Sequence, residues 1–319
     1  MRILVTGGAG FVGRPLVAHL IKMGHKLIVV DDLSNLQSYK PKNCDFIKGD
    51  ISNKRIYKLA FRNIDICIAL ASRKGAIGFV NRYPTDILRG NTSIYNTTFE
   101  QAAANKIKKL IFVSSSMVFE GAFKFPTNED DLKNCILQKS GFGLSKYLGE
   151  IYCKAYRREF NLNYVILRPS NIYGPGEKPE KIEGDSHVIP DFYKKLKKQP
   201  NLLKIFGSGK QTRCFIHVKD LVEVISKIVE TKDPRILNND FNIGGIKEYS
   251  VLQIAKLINR ILGNKNKINF VKTQSYDNDV NRQYMKCDKI KNILQWKPKI
   301  SFEDGLKEMI RWLDDNYKE

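Results

Sequence analysis

A glycine-rich turn near the amino terminus constrains the fold of this chain more than any other feature. A short apolar strand from Ile3 to Val5 runs into the sequence TGGAGFVG (residues 6–13), and a helical pattern with apolar residues at positions 16, 17, 20 and 21 follows. In this G-x-x-G-x-x-G pattern, Gly7 allows a tight turn, Gly10 lets the backbone approach a pyrophosphate, and Gly13 permits close packing of the helix. The helix N-terminus adds N–H donors and a positive dipole. The turn therefore predicts a dinucleotide site.

An acidic pair at the end of the second predicted strand indicates which dinucleotide binds. The strand from Leu27 to Val30 ends in Asp31 and Asp32, 18 residues after the last glycine of the turn. An acid at this place accepts hydrogen bonds from the adenosine ribose, and its charge repels a 2′-phosphate. We therefore expect NAD rather than NADP, held by Gly7, Gly10, Phe11, Val12, Gly13, Asp31, Asp32 and Asn35.

Short β-branched runs alternate with helical stretches through the first half of the chain, which predicts βαβ units and a parallel sheet buried on both faces. Helices are predicted to start near Phe11, Lys54, Asn91 and Gly141. From Asn171 the sequence changes to loops rich in proline and glycine. The expected fold class is α/β, with a Rossmann-type doubly wound sheet in residues 1–170 and returns from about 205–235. Residues 171–319 form a smaller, partly interleaved α/β lobe that binds substrate.

Composition narrows the function classes. Lysine and arginine number 54 against 33 acidic residues, a net charge of +21, but the lysines are spread along the chain, so we expect no nucleic-acid function. No apolar run reaches the roughly 18 residues of a membrane span, and we expect a cytoplasmic protein. Six cysteines without a C-x-x-C pair and four scattered histidines predict reduced thiols and no metal site.

Several motifs in a fixed order resemble the extended short-chain dehydrogenase/reductase family, the NAD-dependent nucleotide-sugar epimerases and dehydratases. Besides the glycine turn they include residues 167–176, 206–213, 215–221, 241–245 and 294–298, so the resemblance covers nearly the whole chain. The resemblance implies a nucleotide-diphosphate sugar as substrate, surface-glycan precursor biosynthesis as the setting, and a homodimer built on the helices that follow Asn91 and Gly141. It adds further cofactor residues: Asp50, Ile51, Leu70, Ala71, Ser72, Asn91, Lys146 and Pro169.

The resemblance also places the chemistry, and here the chain departs from the family. The family uses Tyr-x-x-x-Lys on a helix as its acid/base pair, with a serine or threonine on the preceding strand. In this chain Lys146 is present, but Phe142 occupies the tyrosine position. Phenylalanine can neither donate nor accept a proton. Ser115 is the expected active-site hydroxyl, with Ser116 as the alternative. A second Tyr-x-x-x-Lys match, at residues 193–197, lies in a lysine-rich helix beyond the Rossmann part and is not expected to function.

Neighbouring positions separate branches of the family. The 4,6-dehydratases carry an Asp-Glu pair where this chain has Ser116 and Met117, so dehydration is not expected. The 3,5-epimerase/4-reductase branch combines a cysteine with a histidine in a His-Val-x-Pro turn. This chain retains His187 in that turn without the cysteine, which makes His187 either an acid/base facing the substrate or a polar loop residue.

Three interpretations of the chemistry follow. The chain oxidises the sugar C4 hydroxyl to a 4-keto sugar, with the proton leaving through Ser115, a water and Lys146, or through His187. Alternatively it is a 4-epimerase that recycles NAD internally, or a protein that binds NAD and nucleotide sugar without catalysis. For the substrate diphosphate the resemblance points to Asn171 and Arg213, and Arg282 is expected as a second arginine because residues 276–279 lack the family's later one.

Overall fold

The computed structural model describes residues 1–35, 39–135, 140–265, 267–277 and 279–318. The strands are β1 (Arg2–Thr6), β2 (Lys26–Asp31), β3 (Asp45–Lys48), β4 (Ile66–Ala69), β5 (Lys109–Val113), β6 (Tyr164–Pro169), β7 (Asn171–Tyr173), β8 (Leu202–Phe206), β9 (Thr212–His217), β10 (Asn239–Ile243), β11 (Glu248–Ser250), β12 (Asn269–Thr273) and β13 (Arg282–Gln283). The helices are α1 (Gly13–Lys22), α2 (Lys54–Ala60), α3 (Ile77–Arg82), α4 (Pro84–Ala104), α5 (Gly141–Phe160), α6 (Val188–Lys198), α7 (Val218–Glu230), α8 (Val251–Ile261), α9 (Asp288–Leu294) and α10 (Phe302–Asn316).

Seven parallel strands form the central sheet in the order β3-β2-β1-β4-β5-β6-β10. Its central strands are buried on both faces, because α1 and α7 cover one face and α4 and α5 cover the other. The strand order reverses between β1 and β4. In open α/β sheets ligands bind at the carboxyl ends of the strands at such a point, and the predicted Rossmann-type α/β fold is confirmed.

A second lobe is built from smaller sheets. Strands β7, β9, β11 and β13 form one sheet, and β8 pairs with β12 in another. Helices α6, α8 and α10 pack around a separate apolar core that contains Phe215, Leu306 and Leu313. The C-terminal helix α10 contributes Leu306, Met309, Ile310 and Leu313 to this core.

Two boundaries differ from the sequence expectations. The helix expected to start near Asn91 begins at Pro84, because proline is well suited to the first turn of a helix. The chain returns to the central sheet through α7 and then through β10, which lies beyond residue 235. No helix in the described ranges is long and apolar enough to cross a membrane.

Candidate active site

The glycine turn packs tightly where the sequence requires it. Gly7 has a φ of +71°, and a Cβ placed on it would lie 2.7 Å from the backbone nitrogen of Ala71, after β4. A Cβ on Gly13 would lie 2.5 Å from the Gly7 carbonyl oxygen. Side chains at these two positions would push apart the turn, the first helix and the end of β4.

The same turn leaves an open cradle at its outer side. A Cβ on Gly10 would meet only the Gly7 carbonyl, at 3.4 Å. Within the described part of the chain, the N–H groups of Phe11 and Val12 have no hydrogen-bond partner. Free N–H donors ahead of α1 and the positive end of its dipole fit the pyrophosphate of a dinucleotide.

Asp31 lies at the end of β2 and also fixes the turn. Its carboxylate accepts hydrogen bonds from the N–H of Ala9 at 3.0 Å and of Leu33 at 2.9 Å. Burial raises the pKa of Asp31, and these two hydrogen bonds oppose that rise. Each oxygen keeps a lone pair for a ribose hydroxyl. Asp32 is exposed and accepts from the N–H of Ser34.

The other predicted cofactor residues border the same edge of the sheet. Asn35 and Phe11 line one cleft; Asp50 and Ile51 follow β3; Leu70, Ala71 and Ser72 follow β4; and Pro169 ends β6. Asn91 is fully buried and acts through its neighbours. Its amide oxygen accepts hydrogen bonds from Ser72 and from the N–H of Arg73, and its amide nitrogen donates to Ser145. Asn91 therefore fastens the loop after β4 to α5.

Lys146 lies in an aromatic environment at the end of β5. Its Nζ donates to the Val113 carbonyl oxygen at 2.9 Å. It lies 5.5 to 5.8 Å from the ring centroids of Tyr95, Phe112 and Phe142. The contact with Phe142 agrees with the i, i+4 spacing on one face of α5. Phe142 therefore presents an apolar ring, without a hydroxyl, to Lys146.

Burial and the positive charge of Lys74 lower the pKa of Lys146 to about 7, although Glu150 opposes this shift. The side chain is 5% exposed. This shift favours the uncharged amine, which can accept a proton.

The three serines after β5 have different surroundings. Ser115 is half-buried, and its Oγ accepts from the Met117 N–H at 3.2 Å. Ser116 is buried at 3% exposure. Ser114 donates to Glu150 at 2.7 Å. Of the two predicted hydroxyls, Ser115 is the more accessible.

Behind this cluster lies a buried ion network that the sequence analysis missed. Arg168 binds Glu150 through two hydrogen bonds of 2.9 and 2.7 Å and also contacts Asp240 at 2.6 Å. Arg168 and Glu150 are almost completely buried. Glu150 lies four residues after Lys146, so helical spacing contained a signal for its proximity. The network joins α5, β6 and β10 beneath the site.

His187 lies beside a cleft whose lining includes Phe11, Lys74, Gly176 and Glu177. Its Nδ1 is 2.6 Å from a carboxylate oxygen of Glu177. Burial raises the pKa of Glu177, but His187 and Lys74 lower it by more, and the net shift is downward. Glu177 lies in an irregular loop ten residues before His187, where sequence spacing carries no signal for the contact.

The three residues predicted to bind substrate phosphates have internal partners. Asn171 donates both amide hydrogens, to the Cys214 carbonyl and to Gln283. Arg213 pairs with Asp279 at 2.6 Å and is mostly buried. Arg282 lies at the surface in a two-pronged pair with Glu248. The tyrosine of the second Tyr-x-x-x-Lys match, Tyr193, donates to Asp314 in the second lobe, away from this site.

Comparison with known proteins fixes the family. A family model described as the NAD dependent epimerase/dehydratase family matches residues 3–244. The chain belongs to this family. It is similar, at 32% identity over 98% of its length and 99% of the relative, to a Methanocaldococcus jannaschii protein provisionally named a UDP-glucose 4-epimerase. The family is one of NAD-dependent enzymes, and NAD is the cofactor of this chain.

Two solved structures resemble the whole chain. UDP-glucose 4-epimerase of Thermotoga maritima, solved with UDP-glucose, has 30% identity and a TM-score of 0.87, with both chains fully covered. A tyrosine-to-phenylalanine variant of UDP-glucuronic acid 4-epimerase from Bacillus cereus has 28% identity and a TM-score of 0.87, covering 99% of this chain and 100% of that one. That variant was solved with NAD and UDP-4-deoxy-4-fluoro-glucuronic acid.

Proposed function

We propose that this protein oxidises the C4 hydroxyl of a nucleotide-diphosphate sugar, with NAD as hydride acceptor. The observation that carries the proposal is the placement of Lys146 and Ser115 at the carboxyl end of β5, on the same edge of the central sheet as the open glycine turn. Hydride removal from a carbinol also requires a group that takes the hydroxyl proton. This chain keeps such groups although Phe142 supplies none.

The proton route follows from the two retained groups. Ser115 Oγ fixes the substrate hydroxyl and passes its proton through water to the uncharged amine of Lys146. A positioned acid/base group contributes about 10² to 10⁴ in rate. The loss of a directly bonded phenol therefore slows the reaction without abolishing it. NAD supplies the hydride acceptor when bound.

A second candidate is 4-epimerisation, in which the hydride returns to the opposite face of the ketone. Both solved structures described above are 4-epimerases, which supports this candidate. A third candidate is binding without catalysis. The Bacillus cereus variant lacks a tyrosine and still holds NAD and a nucleotide sugar. Dehydration is disfavoured, because Ser116 and Met117 carry no acid/base group.

Product analysis separates these candidates. Holoprotein is incubated with UDP-glucose, UDP-N-acetylglucosamine, UDP-glucuronic acid, dTDP-glucose and GDP-mannose, and the sugars are examined by mass spectrometry and NMR. A ketone two hydrogens lighter, with stoichiometric reduction of NAD, supports the dehydrogenase. An isomer of unchanged mass supports the epimerase. Binding of one of these sugars without either product supports the third candidate.

We also propose a homodimer formed by α4 and α5. Leu144 and Ile151 on α5 are 39% and 45% exposed, and Tyr152, Tyr156 and Phe160 form an aromatic row along the same helix. Phe99 of α4 is buried in the core of its own chain and is not available to this interface. Light scattering that gives twice the chain mass, and a monomer for Ile151→Asp, supports the dimer. A monomeric wild-type protein contradicts it.

A further inference from the structure

His187 and Glu177 form a pair in which Glu177 is buried and His187 is partly exposed at a cleft. Glu177 is 9% exposed, whereas the side chain of His187 is 42% exposed and borders the cleft. A buried carboxylate bonded to one ring nitrogen leaves the other nitrogen for a ligand. His187 directly precedes α6, but its side chain makes no capping hydrogen bond to that helix.

The two arginines that the sequence predicts to bind substrate already have partners within the protein. Arg213 donates to the Thr212 and Val280 carbonyls and to Asp279, so its donors are largely used within the protein. Arg282 is held by Glu248 and lies over the ring of Phe125. In the described part of the chain Lys74 forms no ion pair, and it lies within electrostatic range of both Glu177 and Lys146.

We propose that Glu177 is a positioning residue that makes His187 a cationic donor to the diphosphate of the nucleotide sugar. Glu177 accepts the Nδ1–H of His187, and the Nε2–H of the imidazolium donates to a phosphate oxygen. Between a carboxylate and a phosphate, only the imidazolium donates on both sides. Lys74 adds a second positive charge at the same cleft. This inference rests on the proposed function, because it takes the substrate class from it.

The other charged groups of the cleft are Lys178, Glu180 and Asp185, which belong to the loop between β7 and α6. Asp185 is paired with Arg82 at 3.1 Å. The diphosphate of a nucleotide sugar does not titrate near neutral pH. A change in its affinity across the range in which histidine titrates therefore reports on the protein.

The test is equilibrium binding by calorimetry to the holoprotein, with UDP-glucose, dTDP-glucose and GDP-mannose as probes. The probe that binds is titrated at about pH 6 and about pH 8.5, on either side of the ordinary histidine range. Wild-type protein should bind about 10-fold or more tightly at the lower pH, as expected for a charge-assisted hydrogen bond. Glu177→Gln should weaken binding mainly at the lower pH and so reduce this difference, because the imidazolium loses the carboxylate that orients it, and Glu177→Asp should restore part of the difference.

His187→Lys is the matched control. A lysine remains charged at both pH values, so affinity should become independent of pH, and adding Glu177→Gln to this variant should change it by less than about 2-fold. If Glu177→Gln lowers the affinity for the nucleotide sugar as much in the His187→Lys background as in wild type, the inference is overturned. Such a result would show that Glu177 has a merely structural role. Turnover provides a second readout: the inference requires Glu177→Gln to raise KM at unchanged kcat.

Failure of the inference and failure of the proposed function are distinguishable. Wild-type binding that does not change with pH, or a loss in kcat alone for His187→Ala, overturns the diphosphate role and leaves the substrate class standing. In the second case His187 acts on the reacting hydroxyl. If none of the three probes binds wild-type holoprotein at either pH, the substrate class itself fails, and the proposed function fails with it.

Discussion

The nucleotide end and the chemical end of the crevice lie side by side at one edge of the central sheet, yet they are built differently. At the nucleotide end, Gly10 and the N–H groups of Phe11 and Val12 face an open cradle. At the chemical end, Lys146 is buried among aromatic rings, and Arg213 is paired with Asp279. Backbone atoms form the cradle at the nucleotide end, whereas the chemical end consists of side chains that are held by other side chains.

This difference gives a physical reason for the departure that the sequence resemblance implies at Phe142. A backbone cradle tolerates few substitutions, because any side chain at Gly7 or Gly13 collides with neighbouring backbone. A side-chain site changes when one residue is replaced and its neighbours repack. The resemblance makes Phe142 such a replacement, and Lys146 still donates to the Val113 carbonyl oxygen.

The largest effect is expected from Gly13→Val. Its Cβ would lie 2.5 Å from backbone atoms of Gly7 and Gly8, so the variant should lose NAD binding and unfold at lower temperature. Gly10→Ala is the matched variant, because its Cβ meets only one atom, at 3.4 Å. It should keep the melting temperature within a few degrees and weaken NAD binding. Calorimetry and thermal denaturation measure both quantities. An undiminished affinity of Gly10→Ala for NAD would contradict the cradle.

Lys146→Met should separate stability from activity at the chemical end. Turnover should fall by about 10² to 10⁴, because the proton acceptor is lost. The cofactor-free protein should nevertheless become more stable at neutral pH. The pKa of Lys146 is lowered by burial and by Lys74 to about 7, so the unfolded chain binds the proton more strongly than the native one between about pH 7 and 10.

The sign of the pH dependence follows from this lowered pKa. The stability of the wild-type cofactor-free protein should rise between about pH 7 and 10, and this rise should be smaller in Lys146→Met. Chemical denaturation across this range measures the difference. Identical pH dependence in the two proteins would show that Lys146 is not desolvated in the way the structure indicates.

Phe142→Tyr tests the departure from the family directly. A phenol placed beside Lys146 should take the substrate proton and pass its own proton to the Lys146 amine without a water, so kcat should rise by about 10-fold or more. The initial rate with the accepted nucleotide sugar measures the gain. An unchanged rate, combined with complete loss of activity in His187→Ala, would transfer the acid/base role to His187.

The smallest effect is expected from Arg282→Gln. Its guanidinium is exposed and paired with Glu248, and exposed pairs contribute about 0 to 1 kcal/mol. KM and the free energy of unfolding should change little, whereas Arg213→Gln should raise KM indirectly, because it leaves Asp279 without its partner beside the predicted substrate residues. A rise in KM for Arg282→Gln that matches the rise for Arg213→Gln would mean that Arg282 leaves Glu248 to bind substrate, as the sequence suggested.

The sequence predicted the fold closely, because periodicity and glycine spacing are local signals. The turn at residues 6–13, the buried strands and the approach of Phe142 to Lys146 all follow from such spacing. The contacts of Glu177 with His187 and of Arg168 with Asp240 join residues through loops or across strands. No periodicity connects them. The charge state and pairing of the substrate residues were therefore beyond the reach of sequence alone.

The central claim is that hydride leaves C4 of a nucleotide sugar for bound NAD. The most direct test uses the nucleotide sugar that the protein binds, labelled with deuterium at C4. The cofactor is released by denaturation and weighed by mass spectrometry. We expect NADH that carries one deuterium, or, for an epimerase, transient label on the cofactor under single-turnover conditions. Bound sugar with no deuterium on the cofactor at any time would contradict it.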